Sequence, residues 1–270
     1  MTKKKVIFIC IIGLILLIGY QIYKNITFLN RDITSINQVE ISPTPETEEI
    51  STQDVVGKVI NYMGVNYRYL AILSVNPENI YLIPNYKQKL KSNELMQENE
   101  CIGGINGGFY GTNDEPIGWL LVEGKLLNEA KDSQLFNGYI LLDNKGKLYI
   151  SQSMKKGDIK YGLQTGPMLI NNKIPEVLNM AEDRLSRRSV MVEEIGGKVS
   201  FISVFNDQNY ESGPTLGDLG GIIKEIANLE KIDINNAINL DGGRASAIYT
   251  KTDNITETEH VGSWWCIKEE

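Results

Sequence analysis

Asp241 has the most suggestive neighbours of any carboxylate in the chain. It closes the apolar run Ala237-Ile238-Asn239-Leu240, and Gly242-Gly243 and Arg244-Ala245-Ser246 follow at once. Such a run reads as a buried strand, and paired glycines at its end let the backbone take positive φ or approach another group closely. A carboxylate at a strand mouth can activate water, attack an electrophilic carbon, steady a cationic centre or bind a cation. The same pattern also fits a strand closed by an Asx-type turn, with the Asp accepting hydrogen bonds from the following N–H groups.

Other stretches offer groups suited to a hydroxyl-rich or phosphorylated ligand. Gly103-Gly104-Ile105-Asn106-Gly107-Gly108-Phe109 belongs to the glycine-densest part of the sequence. Glycine at this density weakens a strand, and the compensation is either close backbone approach to a bound group or a bulge at a barrel corner. Asn106 offers a carbonyl and an amide to hydroxyls. The run opens no βαβ helix with G-x-G-x-x-G spacing, so it is not a dinucleotide fingerprint. Gln164-Thr165-Gly166-Pro167 sets two polar side chains before a Gly-Pro break, where Gln164 either reads hydroxyls or steadies the turn. Arg184, Arg187 and Arg188 precede the strand Val190-Met191-Val192. Such a charge run is more often a solvated edge, but the planar guanidinium fork matches phosphate oxygens, and Arg188 is the one the adjacent strand would hold in place.

Composition narrows the classes. Apolar content of 42%, 25 glycines and 13 tyrosines suit a turn-rich globular fold with many strands, and a net charge of −7 argues against a nucleic-acid partner. The single histidine, His260, rules against a multi-histidine metal site or a His-centred triad unless it folds back to the site. Cys101 and Cys266 would pair if the domain is extracytoplasmic, two free buried thiols being the simpler expectation.

Four segments organise the chain. Residues 1–5 carry Lys3, Lys4 and Lys5 and precede an apolar run, 6–23, of bilayer-spanning length. No small-residue cleavage site follows, so the run reads as an uncleaved signal anchor with a cytoplasmic N-terminus and a single pass through the cell membrane. Residues 24–53, acidic and proline-bearing in their later part, form a polar stalk. Residues 54–270 form a mixed α/β, strand-rich domain. Strands are expected over 65–75, 80–83, 118–122, 125–127, 138–142, 147–150, 190–192, 198–204 and 261–267. A helix is expected over 87–99. A second runs from the Thr215-Leu216-Gly217-Asp218 cap to about Leu229, with Leu216, Leu219, Ile222, Ile223, Ile226 and Ala227 on its buried face. The adjacent Trp264 and Trp265 would point to opposite sides, with core or rim packing expected and an exposed, sugar-stacking face the alternative.

Four pieces in this order, Ile105-Asn106-Gly107-Gly108-Phe109, Gln164-Thr165-Gly166-Pro167-Met168-Leu169, Arg188-Ser189-Val190, and Thr215-Leu216 leading to Asn239-Leu240-Asp241-Gly242-Gly243, resemble the phosphodiester glycosidase family over roughly residues 55 to 267. The resemblance implies a mixed α/β fold and cleavage of a sugar C1–O–phosphate bond. It implies a pocket lined by Asn106, Gly107, Gly108, Gln164, Thr165, Gly166, Arg188, Asp241, Gly242 and Gly243. Arg244 departs from the small residues common after Gly-Gly in the family, and would add a cation or narrow the pocket. Asp241 and Arg188 are the expected catalytic pair, with Asp114, Glu123, Asp207 and Asp218 available as a second carboxylate. No cofactor is required by the pattern, although Asp241 can ligate a divalent cation. The rival expectation is a non-catalytic glycan-binding or envelope-assembly module on the same fold.

Overall fold

The computed structural model describes residues 56–155, 157–180 and 182–269. The tip, apolar run and stalk expected over 1–53 lie outside these residues. Among the described residues no helix is long and apolar enough to cross a membrane. Asp54–Glu270 forms a compact unit of its own.

Among the described residues seventeen strands appear in chain order. The first six are β1 (Lys58–Tyr62), β2 (Val65–Val75), β3 (Ile80–Pro84), β4 (Gly103–Asn106), β5 (Leu120–Val122) and β6 (Lys125–Asn128). Then come β7 (Gly138–Asp143), β8 (Leu148–Ser151), β9 (Ile159–Thr165), β10 (Met168–Asn171), β11 (Ile174–Pro175) and β12 (Arg188–Glu194). The last are β13 (Val199–Asn206), β14 (Ile234–Asn239), β15 (Ile248–Tyr249), β16 (Asn254–Ile255) and β17 (Ser263–Ile267). They form a seven-stranded sheet, β1-β2-β13-β12-β14-β10-β11, and two five-stranded sheets, β16-β15-β4-β17-β3 and β6-β5-β9-β7-β8.

Side-chain alternation in the large sheet separates two cores. Val190 and Val192 of β12 face the cluster built on the long helix Leu216–Glu230, whereas Met191 between them joins the cluster shared among all three sheets. The helix buries the apolar stripe that its spacing predicts. Its first turn is doubly capped. Thr215 Oγ1 accepts from Asp218 N at 3.2 Å, and the Asp183 carboxylate accepts from Leu216 N at 2.7 Å and Gly217 N at 2.8 Å. These bonds satisfy donors a helix start leaves unpaired, and a carboxylate there is favoured by the dipole.

Two expectations are corrected, and one alternative is removed. The helix expected over 87–99 is only Ser92–Glu98, because Lys89 sits at φ 56° and the Asn85 side chain clamps Leu90 through both its N–H and its C=O. For Trp264 and Trp265 the expected core packing is observed and only the sugar-stacking alternative is removed. The two do point to opposite sides, but each side is covered: Trp265 lies in the central core and Trp264 under the short helix, both fully buried. Cys101 and Cys266 are joined in a disulfide rather than free, with Cα atoms 5.5 Å apart, tying β17 to the start of β4. Strands β1, β9, β11, β15 and β16 were not apparent in the sequence. In β9 the polar Lys160 and Gln164 and the central Gly162 mask its buried character.

The disulfide closes a loop of sequence separation 165, a constraint expected to contribute about 2–5 kcal/mol by restricting the unfolded chain. Cys101→Ser combined with Cys266→Ser is therefore expected to lower the urea midpoint by a corresponding amount. An unchanged midpoint in that variant would show that the bridge contributes nothing.

Candidate functional site

The antiparallel register builds the site. Val190 of β12 pairs with Asn239 of β14, so Arg188, two residues before Val190, comes level with Asp241, two residues beyond Asn239. On the other flank Met168 of β10 pairs with Ile238, and Asn239 N donates to Pro167 O at 3.0 Å. One edge of the large sheet thus gathers the Gly166-Pro167 loop, the Asp241-Gly242-Gly243 turn and Arg188.

Hydrogen bonds then fix the Asp241 backbone. Its N–H donates to Gly107 O at 2.9 Å and its carbonyl accepts from Asn106 Nδ2 at 2.7 Å. Asn106 Oδ1 accepts from Ser189 Oγ at 2.6 Å and Ala247 N at 3.1 Å, and Ser189 Oγ lies 2.7 Å from Ser246 Oγ. Both ends of the Asn106 amide are therefore engaged, and the residue is fully buried. It positions Asp241 and has no capacity left to read a ligand hydroxyl.

Gln164 is likewise a clamp. Its Oε1 accepts from Trp119 N at 3.0 Å and Lys131 N at 2.9 Å, and its Nε2 donates to Lys131 O at 2.6 Å and Phe136 O at 2.9 Å. All four of its hydrogen-bonding positions are used inside the protein. Thr165 Oγ1 donates to Asn239 O at 3.0 Å, holding the loop to β14. Gly166 is required by space, since a Cβ there would lie 2.4 Å from Leu135 O.

The glycines beside Asn106 answer the choice left open by the sequence: their close approach is to other parts of the protein. A Cβ on Gly104 would meet Trp264 Nε1 at 2.5 Å, and one on Gly107 would meet Ser263 Oγ at 2.2 Å. Gly108, also buried, donates its N–H to Ser263 Oγ at 3.2 Å.

Around Gly242-Gly243 the two arginines take different tasks. Arg187, which sequence reasoning passed over, is almost fully buried. Its carbonyl accepts from Gly243 N at 2.8 Å, and its Nη2 donates to Thr256 O at 3.0 Å. Arg188 Nε donates to Pro214 O at 3.0 Å and its Nη2 to Arg184 O, with Asp183 Oδ1 3.6 Å away. Burial lowers the proton affinity of both guanidinium groups, and neighbouring carboxylates oppose that: Asp183 for Arg188, Glu211 and Glu257 for Arg187. Arg188 Nη1 makes no hydrogen bond to any described residue and lies 3.8 Å from where a Gly242 Cβ would stand. Gly242 therefore keeps a space open beside that nitrogen. Gly243, at φ 61°, supplies the left-handed turn.

Asp241 accepts from Gly242 N at 2.8 Å through Oδ1, and its Oδ2 accepts none from the described residues. An Asx turn would need the N–H two residues on, and Gly243 N donates to Arg187 O instead. Burial pushes the Asp241 carboxyl up to about 7, against the lowering by the Gly242 N–H, and the negative field of Glu259 adds to the rise.

Arg244 does not enter this space. Its side chain is exposed and paired with Glu259 at 3.0 Å. Of the four carboxylates proposed as a second catalytic group, Asp218 caps the helix, Asp207 pairs with Arg68, Glu123 accepts from Tyr161, and Asp114 pairs with Lys89 and with His260. His260 does fold back, stacking on Tyr110 at 4.6 Å. The Tyr110 hydroxyl is pushed up to about 12 by burial and by the fields of Asp241, Glu259 and other carboxylates. Glu259 lay hidden in a polar loop with no periodic signal. Among the described residues no group of three His, Cys, Asp or Glu gathers to hold a metal ion. The cleft of ≈ 620 Å³ beside Glu193–Lys198 and Asn235 opens at the opposite end of β14, so chemistry rather than volume locates the site.

A carboxyl raised from 3.8 to about 7 binds more protons in the folded than in the unfolded chain between those pH values, so it costs stability as pH rises through that window. Asp241→Asn is expected to gain stability over the parent between about pH 4 and pH 7, by about 1–3 kcal/mol at pH 8 after allowance for water at its partly exposed edge. Parallel denaturation curves at pH 4 and pH 8 check this, and a stability difference that does not change with pH would contradict it.

The catalytic domain of zebrafish N-acetylglucosamine-1-phosphodiester alpha-N-acetylglucosaminidase, auto-inhibited by its pro-peptide, superposes with a TM-score of 0.60 at 15% identity, covering 82% of this chain and 85% of that one. A hypothetical protein from Synechocystis superposes with a TM-score of 0.59 at 13% identity, covering 78% of this chain and 61% of that one, so the match spans less than two thirds of its length. Identities this low establish the fold. No curated protein matches by sequence. The family model for phosphodiester glycosidases matches residues 99–267, more than half of the sequence and all of the site, and the chain belongs to the phosphodiester glycosidase family.

Proposed function

We propose that the domain hydrolyses the C1–O bond of a sugar phosphodiester, with Asp241 as general base and Arg188 receiving the departing phosphate. One observation carries this reading: an unengaged carboxylate oxygen, Asp241 Oδ2, and an unengaged guanidinium nitrogen, Arg188 Nη1, belong to residues that the antiparallel register brings level, with Gly242 leaving room beside the nitrogen. A phosphate monoester is a far better leaving group than a sugar alkoxide, so the reaction needs a cation at the phosphate more than it needs a strong general acid. Asp241, raised to about 7, is matched to proton abstraction from water near neutral pH. Asn106, Ser189 and Ser246 hold the base, while Asp183, Pro214 and Arg184 orient the cation.

The chain is read as anchored in the cell membrane through 6–23, with residues 54–270 outside the cytoplasm. Its substrates are then phosphodiester-linked glycans of the envelope or an exopolysaccharide. The Cys101–Cys266 bridge supports that side of the membrane, since disulfides persist in oxidising compartments.

The test is a panel of sugar 1-phosphodiesters with residues 54–270, with and without chelator. Asp241→Asn and Arg188→Ala are each expected to lower kcat/KM by about 10²–10³ while the fold persists. The base must be ionised, so kcat/KM should climb about tenfold per pH unit below about 7 and level off above it. Turnover undiminished in both variants would refute the site, and glycan binding without turnover in the parent would favour the binding-module alternative.

A further inference from the structure

The segment between β11 and β12 does two things at once. It supplies Asp183 and the Arg184 carbonyl, the partners that orient Arg188. It also walls a groove of ≈ 410 Å³ whose apolar side is Leu135, Pro167, Val177, Leu178 and Met180 and whose polar side is Gln134, Asn179 and Glu182. Leu135, Leu178 and Met180 rest on the helix-side core, the side to which Arg188 also points by strand alternation with Val190 and Val192. Pro167 at the groove accepts from Asn239, two residues before Asp241. The groove and the free Arg188 nitrogen therefore share one face and one edge of the large sheet.

The apolar side chains here are unusually exposed. Val177 is 85% exposed, with Ile174 at 70% and Leu185 at 65% on the flanking chain. Three large aliphatics left in water within one short segment mark a surface that meets something apolar. A groove of this size lies in the range of small-molecule sites, about 300–1,000 Å³.

Resting on the function proposed above, we infer that the groove takes an aliphatic chain esterified to the substrate phosphate, so that the substrates are lipid-linked sugar phosphodiesters. In the diester the sugar lies on one side of the phosphate and the second ester substituent on the other. With the sugar C1 at Asp241 and the phosphate at Arg188, that second substituent runs onto the segment that orients Arg188. Water forms a new bond to C1 and loses its proton to Asp241. The C1–O electron pair leaves with the phosphate oxygen, and an alkyl phosphate monoester remains in the groove. The apolar run 6–23, separated from the domain by the stretch 24–53, would hold the site close to a lipid surface where such substrates reside.

Asp54–Glu270 is a compact unit with its cores closed within it, which allows the domain to be studied alone. Calorimetry with methyl phosphate and decyl phosphate, the latter below its micelle concentration, reads the groove independently of turnover. Decyl phosphate is expected to bind at least about thirtyfold more tightly, as burial of several methylenes requires. Val177→Ser with Met180→Ser is expected to bring that ratio close to one. Equal binding of the two phosphates by the parent, or a ratio untouched by the double variant, overturns the inference. A matching comparison of methyl and decyl sugar phosphodiesters separates the two proposals. Turnover with equal KM values overturns the lipid-linked substrate alone, whereas tight decyl phosphate binding without turnover of either diester upholds the groove and sinks the hydrolase.

Discussion

The buried amide of Asn106 is the interaction on which the site depends. It bonds the Asp241 carbonyl, Ser189 Oγ and the Ala247 N–H at once, and so joins β4, the start of β12 and the chain on both sides of the Gly242-Gly243 turn. Inside a protein an unpaired amide of this kind costs on the order of 1–3 kcal/mol, so such a network holds one arrangement and penalises others. The carboxylate it positions is then free to lack partners of its own. Asp241 keeps one oxygen unengaged because its backbone, rather than its side chain, is held.

A second constraint follows from putting charges where water is scarce. Arg187 and Arg188 are both buried, and each is satisfied largely by backbone carbonyls rather than by a tight carboxylate partner. A buried guanidinium held this way retains its charge and its pull on an anion, where a closely paired one would be neutralised. Asp241 is the counterpart: burial raises it, and no arginine lies close enough to pull it back down. The region carries an electrostatic cost, which is how functional sites commonly differ from the rest of a stable fold.

Much of the framework was legible in residue order. The spacing of Leu216, Leu219, Ile222, Ile223 and Ile226, the Thr215 cap and the strand-forming runs of β2, β12 and β13 all depend on neighbours close in sequence, and these elements appear as expected. The short first helix and the disulfide were misjudged because each is decided by distant partners: the Asn85 clamp, and the meeting of β4 with β17. Gln164 and Asn106 were rightly marked as unusual, yet their work is internal, since polar groups that bind ligands and polar groups that bind backbone look alike in a sequence.

By itself the sequence determined which residue types stand at the mouth of β14, that glycine must follow Asp241, and that the family motifs recur in order. Only the tertiary structure decided which of those residues remain free for a substrate. The antiparallel register of β12 on β14 brings Arg188 level with Asp241, the capping of the long helix by Asp183 orients that arginine, and Arg244 turns outward to Glu259. Hydrogen-bond capacity is finite, and how it is spent depends on groups that meet only when the chain has folded.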